Sequence, residues 1–225
     1  MLAQRLDALY ETSEGHMVCT NEWDRRPAPR FHLMQTADGP LIRFRRDVPA
    51  DLARRTKDIA ASLTWAPDVQ GPPAGLDRLV EAWAAQAPVR AVWSGPAFAM
   101  LHPARRLGPT LEINADNVGL LRGSFDDWLD DAPHRRPFIA VAHDAKAVSI
   151  CASVRMSPAV HCAGVETHPD HRQRGHALVA VSAWAHAVQA LGATPFYSTS
   201  WENAGSRRVA ARLGFQMVAS DLHID

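Results

Sequence analysis

One unit of this sequence restricts the fold more than any other: the run from Ala159 to Trp201. It opens on a strand-like segment, AVHCAGVETHP, that Pro169 stops, and passes through a polar loop into a long apolar helix. A second strand-like segment, TPFYSTSW, follows. The helix is expected over 175–191, because Leu178, Val181, Ala185, Val188 and Leu191 recur at three- and four-residue intervals. Gly192 stands in the C′ place where a left-handed residue ends a helix. A helix that crosses over between two strands lays itself on the face of a sheet.

Around this unit the sequence reads as hairpins and shorter helices. FHLMQT-ADGP-LIRFRR predicts a hairpin with Asp38-Gly39 as its turn. RPFIAVAHDAKAVSICASVRM predicts two strands joined at His143–Lys146. VRAVWSGPAFAML predicts a strand interrupted at Gly95-Pro96, and TLEINAD and FQMVASDLHI predict strands. Helices are expected over 2–12, from Ala50 to Trp65, over 76–87 and over 205–213, where Val209, Ala210 and Leu213 face inward and Gly214 closes the element. VGLLRGSFDDWLDDA predicts one or two helical turns, with its carboxylates forming a solvated face. Antiparallel hairpins first and a crossover later imply a mixed α/β fold with helices on the sheet faces. The end of the chain leaves a sheet edge for the N-terminal region, or for the partner of a homodimer, to cover.

Composition removes several function classes. Lysine plus arginine equals aspartate plus glutamate at 24 each, so no basic surplus points to nucleic acid. Three cysteines without CxxC spacing do not suggest a disulfide framework. The N-terminus lacks the apolar stretch of a signal peptide, and no apolar run of about 18 residues reads as a membrane span. The expectation is a cytoplasmic protein with neither membrane nor nucleic acid as a partner.

The polar loop carries the chemistry. Arg172-Gln173-Arg174-Gly175-His176-Ala177 lies at the mouth of the long helix. The first turn of a helix offers unpaired N–H groups and the positive end of its dipole. A glycine lets phosphate oxygens approach the backbone, and two arginines add charge-assisted donors. The loop is neither a Walker loop nor a dinucleotide fingerprint, since it lacks Gly-Lys-Ser/Thr and two of three glycines. By itself the pattern R-x-x-G-x-A also fits an ordinary solvated helix start.

With its surroundings, the run 139–217 resembles the GCN5-related N-acetyltransferase (GNAT) superfamily. Arg172, Gly175 and Ala177 match that family's Q/R-x-x-G-x-G/A motif after a strand. VETHP resembles the strand that splays from its neighbour, and YSTSWENAGSRRVAARLGF resembles the following strand, an Asn-led helix and the frequent Leu-Gly-Phe ending. The resemblance implies a central mixed, mostly antiparallel sheet over 109–225. Residues 1–108 are then an N-terminal α/β extension, a cap or a degenerate second copy. It implies acetyl-CoA as cosubstrate and an amine as acceptor. Backbone groups of Val165, Glu166 and Thr167 would pair with pantetheine. The 172–177 amides, Gln173, Arg174 and His176 among them, would hold the pyrophosphate, and Asn203 and Ser206 would approach from the other side.

Acyl transfer needs a base for the ammonium, a donor to the oxyanion and a proton for the leaving thiolate. Glu166 is the first candidate base, with Glu202 and His168 as alternatives; Glu166 and Glu202 also read as surface carboxylates. The tyrosine that many GNAT relatives carry in the last helix is replaced here by Ala210, so Tyr197 is the candidate acid. This departure leaves room for a rival reading, a catalytically degenerate module that binds acyl-CoA or acts by interaction. His161, Cys162, His168, His171 and His176 lack the spacing of four convergent zinc ligands, and no metal is expected. Cys162 is expected to be a buried strand cysteine rather than a nucleophile. Trp65, Trp83, Trp93, Trp128 and Trp184 read as core, and Trp201 as a residue near the acceptor mouth.

Overall fold

Among the described residues eleven segments form strands, and nine of them meet in one sheet. The computed structural model describes residues 1–63 and 71–225. The strands are β1 (Tyr10–Ser13), β2 (His16–Thr20), β3 (Phe31–Thr36), β4 (Gly39–Phe44), β5 (Val92–Ala99), β6 (Leu111–Glu112), β7 (Phe138–His143), β8 (Lys146–Met156), β9 (Val160–Thr167), β10 (Thr194–Ser198) and β11 (Gln216–Ile224). The α-helices are α1 (Leu2–Leu9), α2 (Ala50–Ala61), α3 (Leu76–Ala84), α4 (His176–Ala190) and α5 (Ala204–Arg212). Short 3₁₀ turns cover Val118–Leu121, Asp126–Trp128 and Pro169–His171.

Nine strands form a sheet in the order β4-β3-β11-β5-β10-β9-β8-β7-β6, and β1 and β2 pair separately. Within the nine, β9 and β10 run parallel and the other neighbours antiparallel. Strands from both sides of residue 108 therefore share one sheet. β5 lies between β10 and β11, and β3 covers the outer edge of β11. The expected edge beyond the last strand is thus closed by the N-terminal region.

Side chains alternate between faces. Val181, Trp184, Ala185 and Val188 of α4 pack with Tyr197 of β10 and Ala210 of α5 on one face. Leu6 and Leu9 of α1 pack with Cys162, Phe196 and Ala97 on the other. Ala97 pairs with Ala219, so Leu222 and Ile224, two strand positions out of phase with Asp221, fall on the α4 face, where α2 and α3 cover them through Leu52, Leu79 and Trp83. The segment with Leu121, Phe125 and Ala132 covers Phe138, Ala140 and Ile150.

Three expectations change. β5 runs unbroken through Gly95-Pro96. Gly95 serves close approach: a Cβ there would lie 1.9 Å from the Thr199 carbonyl oxygen. The N-terminal helix stops at Leu9 because Tyr10 turns into an extended conformation and begins β1. β6 uses only Leu111 and Glu112 of the TLEINAD run. The other helices end slightly early, α2 at Ala61 and α3 at Ala84; Trp65 lies outside the described residues.

Candidate active site

The parallel neighbours β9 and β10 part company halfway. β10 pairs with β9 from Thr194–Val160 to Phe196–Cys162. From Phe196 to Ser198 it pairs on its other side with β5, while β9 continues alongside β8 as far as Thr167. The backbone of Ala163–Thr167 thus has a ladder on one edge and a gap on the other. Unpaired strand edges of this kind accept an extended ligand as an added strand.

The gap leads to the start of α4. Gln173 (φ 61°) and Gly175 (φ 84°) both take left-handed conformations, which curl the loop over the helix end. Val179 donates its N–H to Gly175 O at 3.3 Å, closing the first turn. The amides of His176, Ala177 and Leu178 precede any intrahelical acceptor. A Cβ on Gly175 would meet nothing within 4 Å, so the space over this backbone is open. Arg172, Gln173 and Arg174 are exposed. Arg172 spends part of its guanidinium inward, its Nε donating to Thr167 O at 3.3 Å, which ties the loop to the end of β9.

The candidate acid and base lie on opposite faces of the sheet. Glu166 shares the face of Cys162, away from α4, and its Oε2 accepts the Trp128 indole N–H at 2.8 Å. Trp128, expected as core, packs half-buried against Phe138 of the core and also serves as the partner of the carboxylate. Its ring leans over Gly164, where a Cβ would come within 2.9 Å of the indole. The Arg135 guanidinium lies 5.0 Å from the Trp128 ring centre. Arg135 also lines a cavity of about 380 Å³ with Glu22, Trp23 and His134. The sequence signal that could have found Trp128 is a tryptophan amid the carboxylates of SFDDWLDD, a setting unlike a core.

On the α4 face, the hydroxyls of Tyr197 and Ser206 are 2.5 Å apart. Burial pushes the Tyr197 phenol up to about 12, against a smaller opposing effect of the Ser206 hydrogen bond. Asn203 acts as the N-cap of α5, its Oδ1 accepting the Ser206 N–H at 2.9 Å, which leaves only its amide N–H groups for a ligand. Ala210 is fully buried about one turn beyond Ser206 on α5. Glu202 is exposed in the turn before Asn203. Thr167 bonds Ser149, hydroxyl to hydroxyl, at 2.8 Å, and the Val165 side chain packs toward α4. The structure therefore gathers Val165–Thr167, the 172–177 loop, Tyr197 and Ser206 around the strand gap.

Other candidates fall elsewhere. Cys162 is buried, and desolvation pushes its thiol up despite Arg5 nearby, which disfavours a nucleophilic thiolate. His161 is held by Ser153 Oγ at 2.8 Å, which also accepts the Trp184 indole N–H. Among the described residues no three His, Cys, Asp or Glu side chains converge as a metal site. Trp201 is buried. No helix among them is long and apolar enough to cross a membrane.

The fold has counterparts among known proteins. Residues 137–220 match the GNAT acetyltransferase family model. A GCN5-related N-acetyltransferase-like protein from Streptococcus suis is similar in fold, with a TM-score of 0.50 at 14% identity, covering 88% of this chain and 85% of that one. A Drosophila protein gives 0.51 at 12% identity, covering 66% and 56%. A GNAT-family protein from Novosphingobium aromaticivorans gives 0.49 at 18%, covering 61% and 66%, so the chain spans less than two thirds of these last two proteins. No curated protein sequence matches. Residues 137–220 thus resemble the GNAT acetyltransferase family, and the chain as a whole shares the fold of the Streptococcus suis protein.

Proposed function

We propose that the chain is an acyl-CoA-dependent N-acyltransferase that moves an acetyl group from acetyl-CoA to a primary amine. The observation that carries this reading is the parted β9–β10 pair leading to the open start of α4. An extended pantetheine arm finds free backbone groups on Val165–Thr167, and phosphate oxygens find the amides, Arg172 and Arg174 of the loop. Acetyl-CoA supplies an activated thioester carbonyl. Glu166, fixed by Trp128, is placed to accept a proton from an amine arriving on its face of the sheet. Tyr197, kept protonated by burial and joined to Ser206, supplies a hydroxyl on the opposite face, where a thiolate would depart. Attack from one side and departure on the other suit a base and an acid separated by the sheet. Glu202 and His168 remain secondary candidates for relaying the proton through water.

Calorimetric titration of acetyl-CoA into the chain tests the binding half. Binding is expected, and Gly175→Trp is expected to abolish it, because the indole would fill the open space at a backbone position of positive φ. Absence of acetyl-CoA binding by the wild type would sink the reading. The second reading, a CoA-binding module without turnover, draws support from Ala210, which puts no hydroxyl on α5 at that position. Binding without thiol release across a panel of primary amines would favour it.

A further inference from the structure

Four imidazoles crowd the flank of the loop from separate elements. His143 ends β7, His168 and His171 belong to the turn after β9, and His176 opens α4. His171 is central, its ring centre 5.8 Å from His143, 5.8 Å from His168 and 6.1 Å from His176. The two outer rings face carboxylates: Asp144 lies 3.1 Å from His143 Nδ1, and Asp170 lies 3.9 Å from His168 Nδ1. The other charged groups of these elements and their neighbours are Lys146 and Arg155 on β8, Glu166 on β9, and Arg172 and Arg174 in the loop. Nδ1 of His171 is buried without a hydrogen-bond partner.

We infer that this cluster is a proton-linked phosphoryl subsite, in which His171, with His176 beside it, takes up a proton as phosphate oxygens settle on the loop and then donates N–H bonds to them. The inference rests on the CoA-binding reading. Without an anion, a further positive charge at His176 is opposed by His171, Arg174 and His143; with one, the sign of the net effect reverses. Imidazoles ordinarily titrate close enough to neutrality for such a reversal to move a proton. Burial, and then His171, Arg174 and His143, already hold His176 below the ordinary histidine value. The step is a protonation from solvent; no bond in the ligand forms or breaks.

The test is calorimetry on the full chain with 3′-dephospho-CoA and with CoA, in buffers of different ionisation enthalpy. The pyrophosphate diester of dephospho-CoA stays ionised through neutrality, so its proton uptake reports the protein alone. The expected result is net uptake on binding and affinity roughly fivefold tighter at about pH 6 than at about pH 8. His171→Gln should remove both effects. His143→Gln, on a ring that is 61% exposed, is the second variant and should reduce the uptake in a chain that folds normally. Stronger uptake with CoA than with dephospho-CoA supports the subsite with the 3′-phosphate as its occupant, and equal uptake supports it with the pyrophosphate. Binding with buffer-independent heats overturns the inference and leaves the proposed function standing. If neither nucleotide binds, the proposed function fails, and inorganic pyrophosphate becomes the probe. Uptake that His171→Gln abolishes would then keep the subsite, and its absence would overturn it.

Discussion

Glu166 and Tyr197 differ in what surrounds them, and the difference sets their tests. Glu166 is exposed with one fixed donor, the Trp128 indole at 2.8 Å. Glu166→Gln keeps the shape and loses the base, so kcat should fall about 10²–10⁴-fold with the acetyl-CoA Kd unchanged. Trp128→Phe keeps the ring over Gly164 but not the N–H; a kcat about tenfold lower, as expected of a less well-oriented base, checks the pairing in the same assay. Tyr197 is the reverse case, a phenol that burial pushes up to about 12. It keeps its proton across the neutral range, so the rate should show no alkaline loss from this group until the pH approaches that value. Tyr197→Phe should slow thiol release, measured with a thiol reagent, and a variant as fast as wild type would remove Tyr197 from the chemistry. Of the site, the loop was legible in the sequence because glycine, arginine and a helix start are local features. The Glu166–Trp128 pair was not, since it joins residues 38 positions apart. The Asn-led start of α5 was legible too, and Asn203 does cap it.

At the scale of the element, α5 depends on that cap. The Asn203 carbonyl satisfies the Ser206 amide, and the same serine holds Tyr197 through its hydroxyl. Asn203→Ala should cost about 1 kcal/mol, seen as a lower Tm, while Asn203→Asp should retain most of the stability. The loss should also loosen Ser206 and so slow thiol release by more than the stability change explains. The strands and α4 were readable because apolar periodicity reports burial directly, and the two-residue turn at Asp144-Ala145 lies where His143–Lys146 was expected to join β7 to β8. β5 misled because Gly-Pro commonly breaks a strand. Here the glycine is needed for the Thr199 carbonyl, a contact more than a hundred residues away in sequence that no local pattern announces.

Across the whole molecule, a buried charge network fastens the N-terminus to the C-terminal strand. Arg5 of α1 grips both carboxylate oxygens of Asp221 on β11, at 3.0 and 2.5 Å. His32 of β3 lies 3.3 Å from the same carboxylate and 2.8 Å from the Tyr10 hydroxyl. Removing one partner strands the other charge, so Arg5→Met should cost about 3–5 kcal/mol in denaturant unfolding. The double variant Arg5→Met/Asp221→Leu should recover much of that loss. Burial alone would raise the Asp221 carboxyl, but Arg5 and His32 hold it well below the usual carboxylate range. Its contribution is therefore fully present above about pH 4 and is lost as pH falls toward the folded value. His223 adds an earlier limb: burial, then His32, lowers its imidazole from 6.5 to about 4. The unfolded chain binds that proton first, so stability should already decline as pH falls between those two values, and His223→Gln should flatten that part of a urea-midpoint titration. β5, the strand seated between β10 and β11, has a consequence for the order of assembly. A chain emerging from the ribosome makes β5 long before either neighbour exists. Its two edges must wait, shielded or idle, until β10 and β11 are synthesised, which makes completion of the sheet a late event governed by long-range contacts.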